Sequence, residues 1–217
     1  MRRLYLSAAA VLVVLIAGGC SVTVEEAKYQ AVKRDRNYEI RDYEACVVAE
    51  TVVDESLEDA GNTAFNKLFG YISGKNQSRG KIAMTAPVSQ EAASQKMAMT
   101  APVGQQRVKA GWAVSFTMPA SYTMETLPAP DDPEVKLRQI PVRRMAAVRY
   151  SGVWSETRYR RYLGELQAWI EKNGLRILGE PVWARYNPPF TPWFMRRNEI
   201  LIPVDTRQTQ ESSEPAK

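Results

Sequence analysis

The chain of 217 residues contains no histidine. That absence removes the Ser-His-Asp and Cys-His nucleophilic machinery in their usual forms. It also removes every zinc site that uses an imidazole. Cysteine is scarce: Cys20 and Cys46 are the only two, too few for a thiolate cluster. No glycine-rich phosphate loop of either common spacing is present. Carboxylates are plentiful, yet nothing in their spacing sets two of them at the separation that glycoside hydrolysis needs. Long apolar runs are missing too, except for Leu4 to Ala17, which is short for a transmembrane helix.

That run has a basic start, Arg2-Arg3, and ends in Ala17-Gly18-Gly19-Cys20, the pattern of an export signal. Its end resembles a bacterial lipobox, with Ala17 where leucine is usual. The expectation is a signal peptide over 1–19 and a tether over 20–24 lipidated at Cys20, since acyl chains explain a thiol at the cleavage point. Ser21, rather than aspartate, points to an outer-membrane lipoprotein facing the periplasm. Without Arg2 and Arg3, the 29 basic and 24 acidic side chains leave a net charge of +3. So mild a charge gives no reason to expect a nucleic-acid surface. Cys46 then has no partner in an oxidising compartment, so it is expected to be buried in a strand. A single folded domain is expected over 25–204, and a disordered polar tail over 205–217.

Within the domain, Lys81-Ile-Ala-Met-Thr-Ala-Pro-Val88 returns as Lys96-Met-Ala-Met-Thr-Ala-Pro-Val103. Each copy is a short apolar run closed by a proline, which lacks the N–H that a sheet ladder uses. Two extended segments that leave the sheet at their prolines, joined through 89–95, are expected to pair as a hairpin. The alternative is that Met84 and Met99 face a ligand, although methionine fills cores more often than it binds cofactors. Tyr38 to Val53 reads as one long strand. Ser56 caps a first helix with an apolar stripe at Leu57, Gly61, Ala64, Phe65, Leu68 and Ile72, stopped at Gly74. Ser155 caps a second, with Tyr159, Tyr162, Leu163, Leu166, Trp169 and Ile170 as its stripe. Further extended segments are read near 27–32, 112–118, 135–140, 145–150, 182–186 and 200–204. Phe65, Leu68, Tyr71 and Ile72 match Leu163, Leu166, Trp169 and Ile170 at a constant offset of 98. The fold class is therefore α+β, with two pseudo-symmetric strand–helix–strand halves.

Six stretches carry a family likeness in order: Tyr38-Glu-Ile-Arg-Asp-Tyr43, the Phe65 to Asn76 helix end, Lys81 to Val88, Trp112 to Pro119, Tyr186-Asn-Pro-Pro189 and Arg197-Asn-Glu-Ile200. With them the chain resembles the SOUL family of haem-binding proteins, and its second Met-Thr-Ala-Pro-Val copy resembles the bacterial branch. The resemblance implies a distorted eight-stranded β-barrel with two helices. It implies non-covalent binding of haem or a related tetrapyrrole, without catalysis, between the first helix and the loop that begins at Tyr186. Phe69 lies off the core stripe, and the loop offers Phe190, Trp193, Phe194 and Met195 as stacking surface. Arg196 and Arg197 are candidates to pair with propionates. Phe69, Trp193 and Phe194 are expected to line one groove, with Arg196 or Arg197 at its rim. Iron has no histidine to ligate it here, which leaves a weak axial Tyr or Met, or none. Three other readings remain open: a pocket for another apolar or amphiphilic molecule, a small hydrolase using Glu199 and Tyr186, and an envelope lipoprotein without a ligand.

Overall fold

A computed structural model describes residues 24–78 and 94–205. Cys20, the first Met-Thr-Ala-Pro-Val copy with Met84, positions 89–93 of the segment expected to join the copies, and positions 206–217 lie outside the described residues. The elements run β1 (Glu25–Glu26), β2 (Tyr29–Asp35), β3 (Tyr38–Tyr43), β4 (Cys46–Val53), α1 (Leu57–Ile72), β5 (Asn76–Gln77), β6 (Thr100–Ala101), β7 (Val103–Val108) and β8 (Gly111–Thr117). They continue with β9 (Ala129–Pro130), β10 (Lys136–Ile140), β11 (Arg143–Tyr150), α2 (Glu156–Lys172), β12 (Arg176–Ile177), β13 (Val182–Arg185) and β14 (Asn198–Asp205). Trp193–Met195 forms one 3-10 turn.

One sheet dominates, in the order β10-β4-β8-β7-β13-β14-β11-β3-β2, with β12 also paired to β14. The first eight strands of that order are two-fold. Reading outward from the central β7–β13 pair, β8 corresponds to β14, β4 to β11 and β10 to β3. Each half lends its first strand to the other: β10 pairs with β4, and β3 with β11. α1 packs on β4 and β8, and α2 on the corresponding β11 and β14. The fold is thus α+β, with two helices and a large antiparallel sheet of ten strands rather than eight, since β2 and β12 add to the symmetric set. No ladder joins β10 to β2 among the described residues.

Both helices start as their caps dictate. Ser56 Oγ accepts from the Asp59 N–H at 3.1 Å, and Ser155 Oγ from the Arg158 N–H at 3.4 Å. Each oxygen satisfies a donor that the first turn leaves open. Their stripes face inward: Leu68 and Leu166 are fully buried, and Phe65, Tyr162 and Leu163 partly so. Three expectations about strands need correction. The stretch 38–53 is two strands broken at Glu44-Ala45, because β3 pairs with β11 in the second half while β4 pairs with β8 and β10. β7 carries Gly104, Gln105, Gln106 and Arg107, a polar run without strand patterning, yet it sits at the centre of the sheet. Pro102 stands before that ladder, between β6 and β7, so the second copy of the repeat enters the sheet after its proline. Cys46 opens β4 but is half-buried rather than buried, and Asp205 belongs to β14, opposite Arg176.

The symmetry breaks at the connection that follows each strand of the central pair. β7 and β8 are joined by Lys109-Ala110 alone, and Gly111 (φ +122°) makes this possible: a Cβ there would lie 2.2 Å from the Val53 carbonyl oxygen. The corresponding β13–β14 connection spans residues 186–197. That expanded loop turns back towards α1 of the other half.

Candidate functional site

A groove of about 560 Å³ opens where the loop meets α1. α1 supplies Gly61, Asn62, Phe65 and Asn66, one flank of the helix at i, i+1, i+4 and i+5. Met99, Thr100, Ala101 and Val103 supply the floor, and Trp154, just before α2, a third wall. The loop closes it with Tyr186, Asn187, Pro188, Pro189 and Phe190, and Val24 adds an edge. Two other concavities, of about 490 and 660 Å³, carry more charge: Glu25, Lys28, Glu44 and Glu125 line one, and Asp42, Glu44, Arg144 and Asp205 the other.

Arg185 is the one charged side chain lining the groove among the described residues. It alternates with Trp183 along β13, so it points to the helix-covered face, and it is 8 % exposed. Its Nη2 donates to Gln105 Oε1 at 2.9 Å, and Gln105 Nε2 donates in turn to the Leu57 carbonyl at 2.7 Å. The guanidinium carbon lies 5.2 Å from the Trp154 ring centre and 5.1 Å from that of Trp183. Gly61 makes the room, because a Cβ on it would come within 2.0 Å of Nη2. Burial lowers the Arg185 pKa to about 10.

The base of the loop is held from the opposite face of the sheet. There the Glu199 carboxylate is fully buried and accepts four hydrogen bonds. Arg41 donates to both oxygens at 2.6 and 3.0 Å, Arg197 Nε donates at 3.0 Å and the Tyr186 hydroxyl at 2.8 Å. Burial alone raises the Glu199 pKa, but Arg41 and Arg197 hold it below the ordinary carboxylate value. Burial, with Glu199 beside it, pushes the Tyr186 hydroxyl well up. A carboxylate with its lone pairs filled and a phenol fixed in its protonated form are poorly suited to act as a base and nucleophile pair. The hydrolase reading of Glu199 and Tyr186 therefore finds no support in this geometry.

The expected site residues divide. Phe190 lines the groove and is 84 % exposed at its rim. Phe69 does not line it. One turn beyond Phe65, it stacks on that ring with centroids 5.8 Å apart and extends the wall outward. Trp193 and Phe194 sit on the 3-10 turn, exposed and edge-to-face at 5.6 Å, and do not line the groove either. Arg196 is spent on the loop: it donates to the Pro189 and Thr191 carbonyls at 2.6 and 2.8 Å and lies over the Trp154 ring at 4.6 Å. Arg197 pairs with Glu26 as well as Glu199, and lies 3.7 Å from the Tyr186 ring centre. The single groove expected from Phe69, Trp193 and Phe194 is instead walled by Phe65, Trp154, Tyr186 and Phe190. Trp154 gave no signal in the sequence beyond its place before a cap. Arg185 did give one: a cation at an inward position of Val182-Trp183-Ala184-Arg185.

The SOUL heme-binding protein family model matches residues 24–203. Heme-binding protein 1 of Mus musculus is 27 % identical over 172 residues, which cover 78 % of this chain and 85 % of that one. Among solved structures, an uncharacterized conserved protein of Listeria innocua matches with a TM-score of 0.52 and 12 % identity, over 79 % of this chain and 93 % of that one. A hydrolase of the same organism matches at 0.50 and 14 %, over 80 % and 94 %. At such identities these two report the fold alone. With nearly all of its described residues inside the match, this chain belongs to the SOUL heme-binding protein family.

Proposed function

We propose that the protein binds haem or a related tetrapyrrole non-covalently in the groove between α1 and the 186–197 loop, and that it acts by binding rather than by catalysis. The observation that carries this reading is the groove itself, about 560 Å³ with aromatic walls, within the size range of small-molecule sites. Phe65, Trp154, Tyr186 and Phe190 give the groove an aromatic lining suited to an apolar ligand. Pro188 and Pro189 stiffen the loop and reduce the ordering cost of binding. In this reading the large sheet curls towards the distorted barrel that the family likeness implies.

Among the described residues lining the groove, Met99 carries a thioether, a weak axial donor for iron, and the Tyr186 hydroxyl is committed to Glu199. Binding is accordingly driven by the porphyrin. Titration with haemin and with metal-free protoporphyrin should give affinities within a factor of a few, and strong preference for haemin would restore an axial-ligand model. Phe190→Ala should weaken both by about tenfold, the worth of one aromatic contact, with little effect on folding because Phe190 is so exposed. Unchanged affinity in Phe190→Ala would remove the groove as the site. Preference for an unrelated amphiphile over both porphyrins would favour a different apolar ligand.

The lipid anchor at Cys20 is part of the same proposal, and rests on the signal that ends there. The processed protein should fractionate with outer membranes, and Cys20→Ser should release it or block processing. A processed Cys20→Ser protein that stays with membranes would count against lipidation.

A further inference from the structure

Two buried arginines, Arg41 and Arg185, and the half-buried Arg197 are found near the loop, and two of the three share a counter-ion. Arg41 and Arg197 both pair with Glu199. Arg185 has no carboxylate within salt-bridge distance among the described residues, although it is as buried as a core side chain. Its one hydrogen bond goes to a neutral amide, while a guanidinium carries five N–H donors. A buried charge without a partner is costly, and the pKa lowered by burial reflects that cost while leaving the group charged at neutral pH. The surrounding residues nevertheless keep it in place. Gly61 clears space on α1, Gln105 is itself anchored and fixes one edge of the fork, and Trp154 and Trp183 flank it.

We infer that Arg185 is the receptor for a ligand carboxylate, so that the groove takes an apolar planar acid with a carboxylate at its inner end and its apolar edge at the mouth. The inference rests on the groove being the ligand site, and adds the orientation and chemical class of what enters. Arg196 and Arg197 do not serve in its place, since neither lines the groove and each is held elsewhere, Arg196 by loop carbonyls and Arg197 by Glu26 and Glu199. Charge-assisted, forked pairing is the interaction that a guanidinium makes best with a carboxylate. In the groove that pair is shielded from water, so a ligand lacking the acid leaves the cation unmatched.

The test compares protoporphyrin IX with its dimethyl ester on the full chain, followed by quenching of tryptophan fluorescence. The free acid should bind at least tenfold more tightly. Arg185→Gln should remove that preference by weakening the acid, with the ester changed less than twofold, and Arg185→Lys should fall between. Equal binding of acid and ester by the parent, or an acid preference kept in Arg185→Gln, overturns the assignment. If Phe190→Ala still weakens binding in that case, the groove stands and only the orientation is lost; if the parent binds neither porphyrin, both fall. Should Arg185→Gln not fold, the parent alone decides through a porphyrin with both propionates joined to long polyethylene glycol chains. Buried carboxylates predict loss of its binding, and retained binding places the propionates at the mouth and refutes the inference.

Discussion

Glu199→Gln is expected to lower unfolding stability by about 3–5 kcal/mol, the range for removing one partner of a buried ion pair. Glu199 is fully buried and Arg41 is 3 % exposed, so the variant removes the buried counter-ion of Arg41, leaving it only Glu39 at 2.6 Å, and leaves the half-buried Arg197 with Glu26 alone. Urea unfolding of parent and variant measures the difference, and a loss below about 1 kcal/mol would mean that water reaches the cluster and screens it. The same group sets a pH dependence. Because the arginines hold its folded pKa below the unfolded value near 4.5, the ionised form favours folding above that value. This contribution disappears as pH falls through 4.5 and below, since the unfolded state then takes up the proton first. The parent should therefore lose stability on acidification more steeply than Glu199→Gln, which has no proton to take up at that position. A consequence for the groove follows, because Glu199 anchors Tyr186 and Arg197, the two ends of the loop that closes it.

The two helices, their caps and most strands were legible because each rests on local chemistry: a serine before a 3.6-residue stripe, or an alternating apolar run. The two-fold arrangement was legible from the offset of 98 between the helices. β7 was not, since Gly104 to Arg107 is polar and is held in the sheet by its neighbours β8 and β13 rather than by its own pattern. The break after Tyr43 was hidden for a related reason, because only the exchange of strands between halves shows that β3 and β4 serve different partners. At the site, the Tyr186 to Arg197 loop was recognisable from its prolines and aromatics, but its side chains could not be assigned directions. Phe190 turns to the groove, while Trp193 and Phe194 turn away on a 3-10 turn. Phe65 reads as part of the core stripe, yet it sits where the stripe meets the groove and serves both. Arg185 illustrates the opposite case. Alternation with Trp183 already placed a cation on the buried face, a local rule broken at the position that lines the site.

Leu68→Ala and Leu166→Ala are each expected to cost about 2–5 kcal/mol, the range for deleting a fully buried leucine side chain and leaving part of its cavity. The two positions are related by the internal repeat, both are inaccessible to solvent, and each belongs to a helix that covers corresponding strands. Their costs should therefore be similar, and thermal or urea unfolding compares them directly. A difference of more than about 2 kcal/mol would show that the halves pack unequally beneath the helices. Ligand binding should separate them. α1 carries Gly61, Asn62, Phe65 and Asn66 of the groove wall, whereas α2 contributes no residue to it among those described. Relaxation of α1 into the cavity left at Leu68, one turn from Phe65, shifts that wall and disturbs Gly61 beneath the Arg185 guanidinium. The same relaxation of α2 leaves the wall in place. Measured well below either unfolding transition, porphyrin affinity should fall in Leu68→Ala and stay near the parent's in Leu166→Ala. Equal loss in both would mean that binding depends on global rigidity rather than on the placement of α1, and equal retention would mean that the helix holds its position without Leu68.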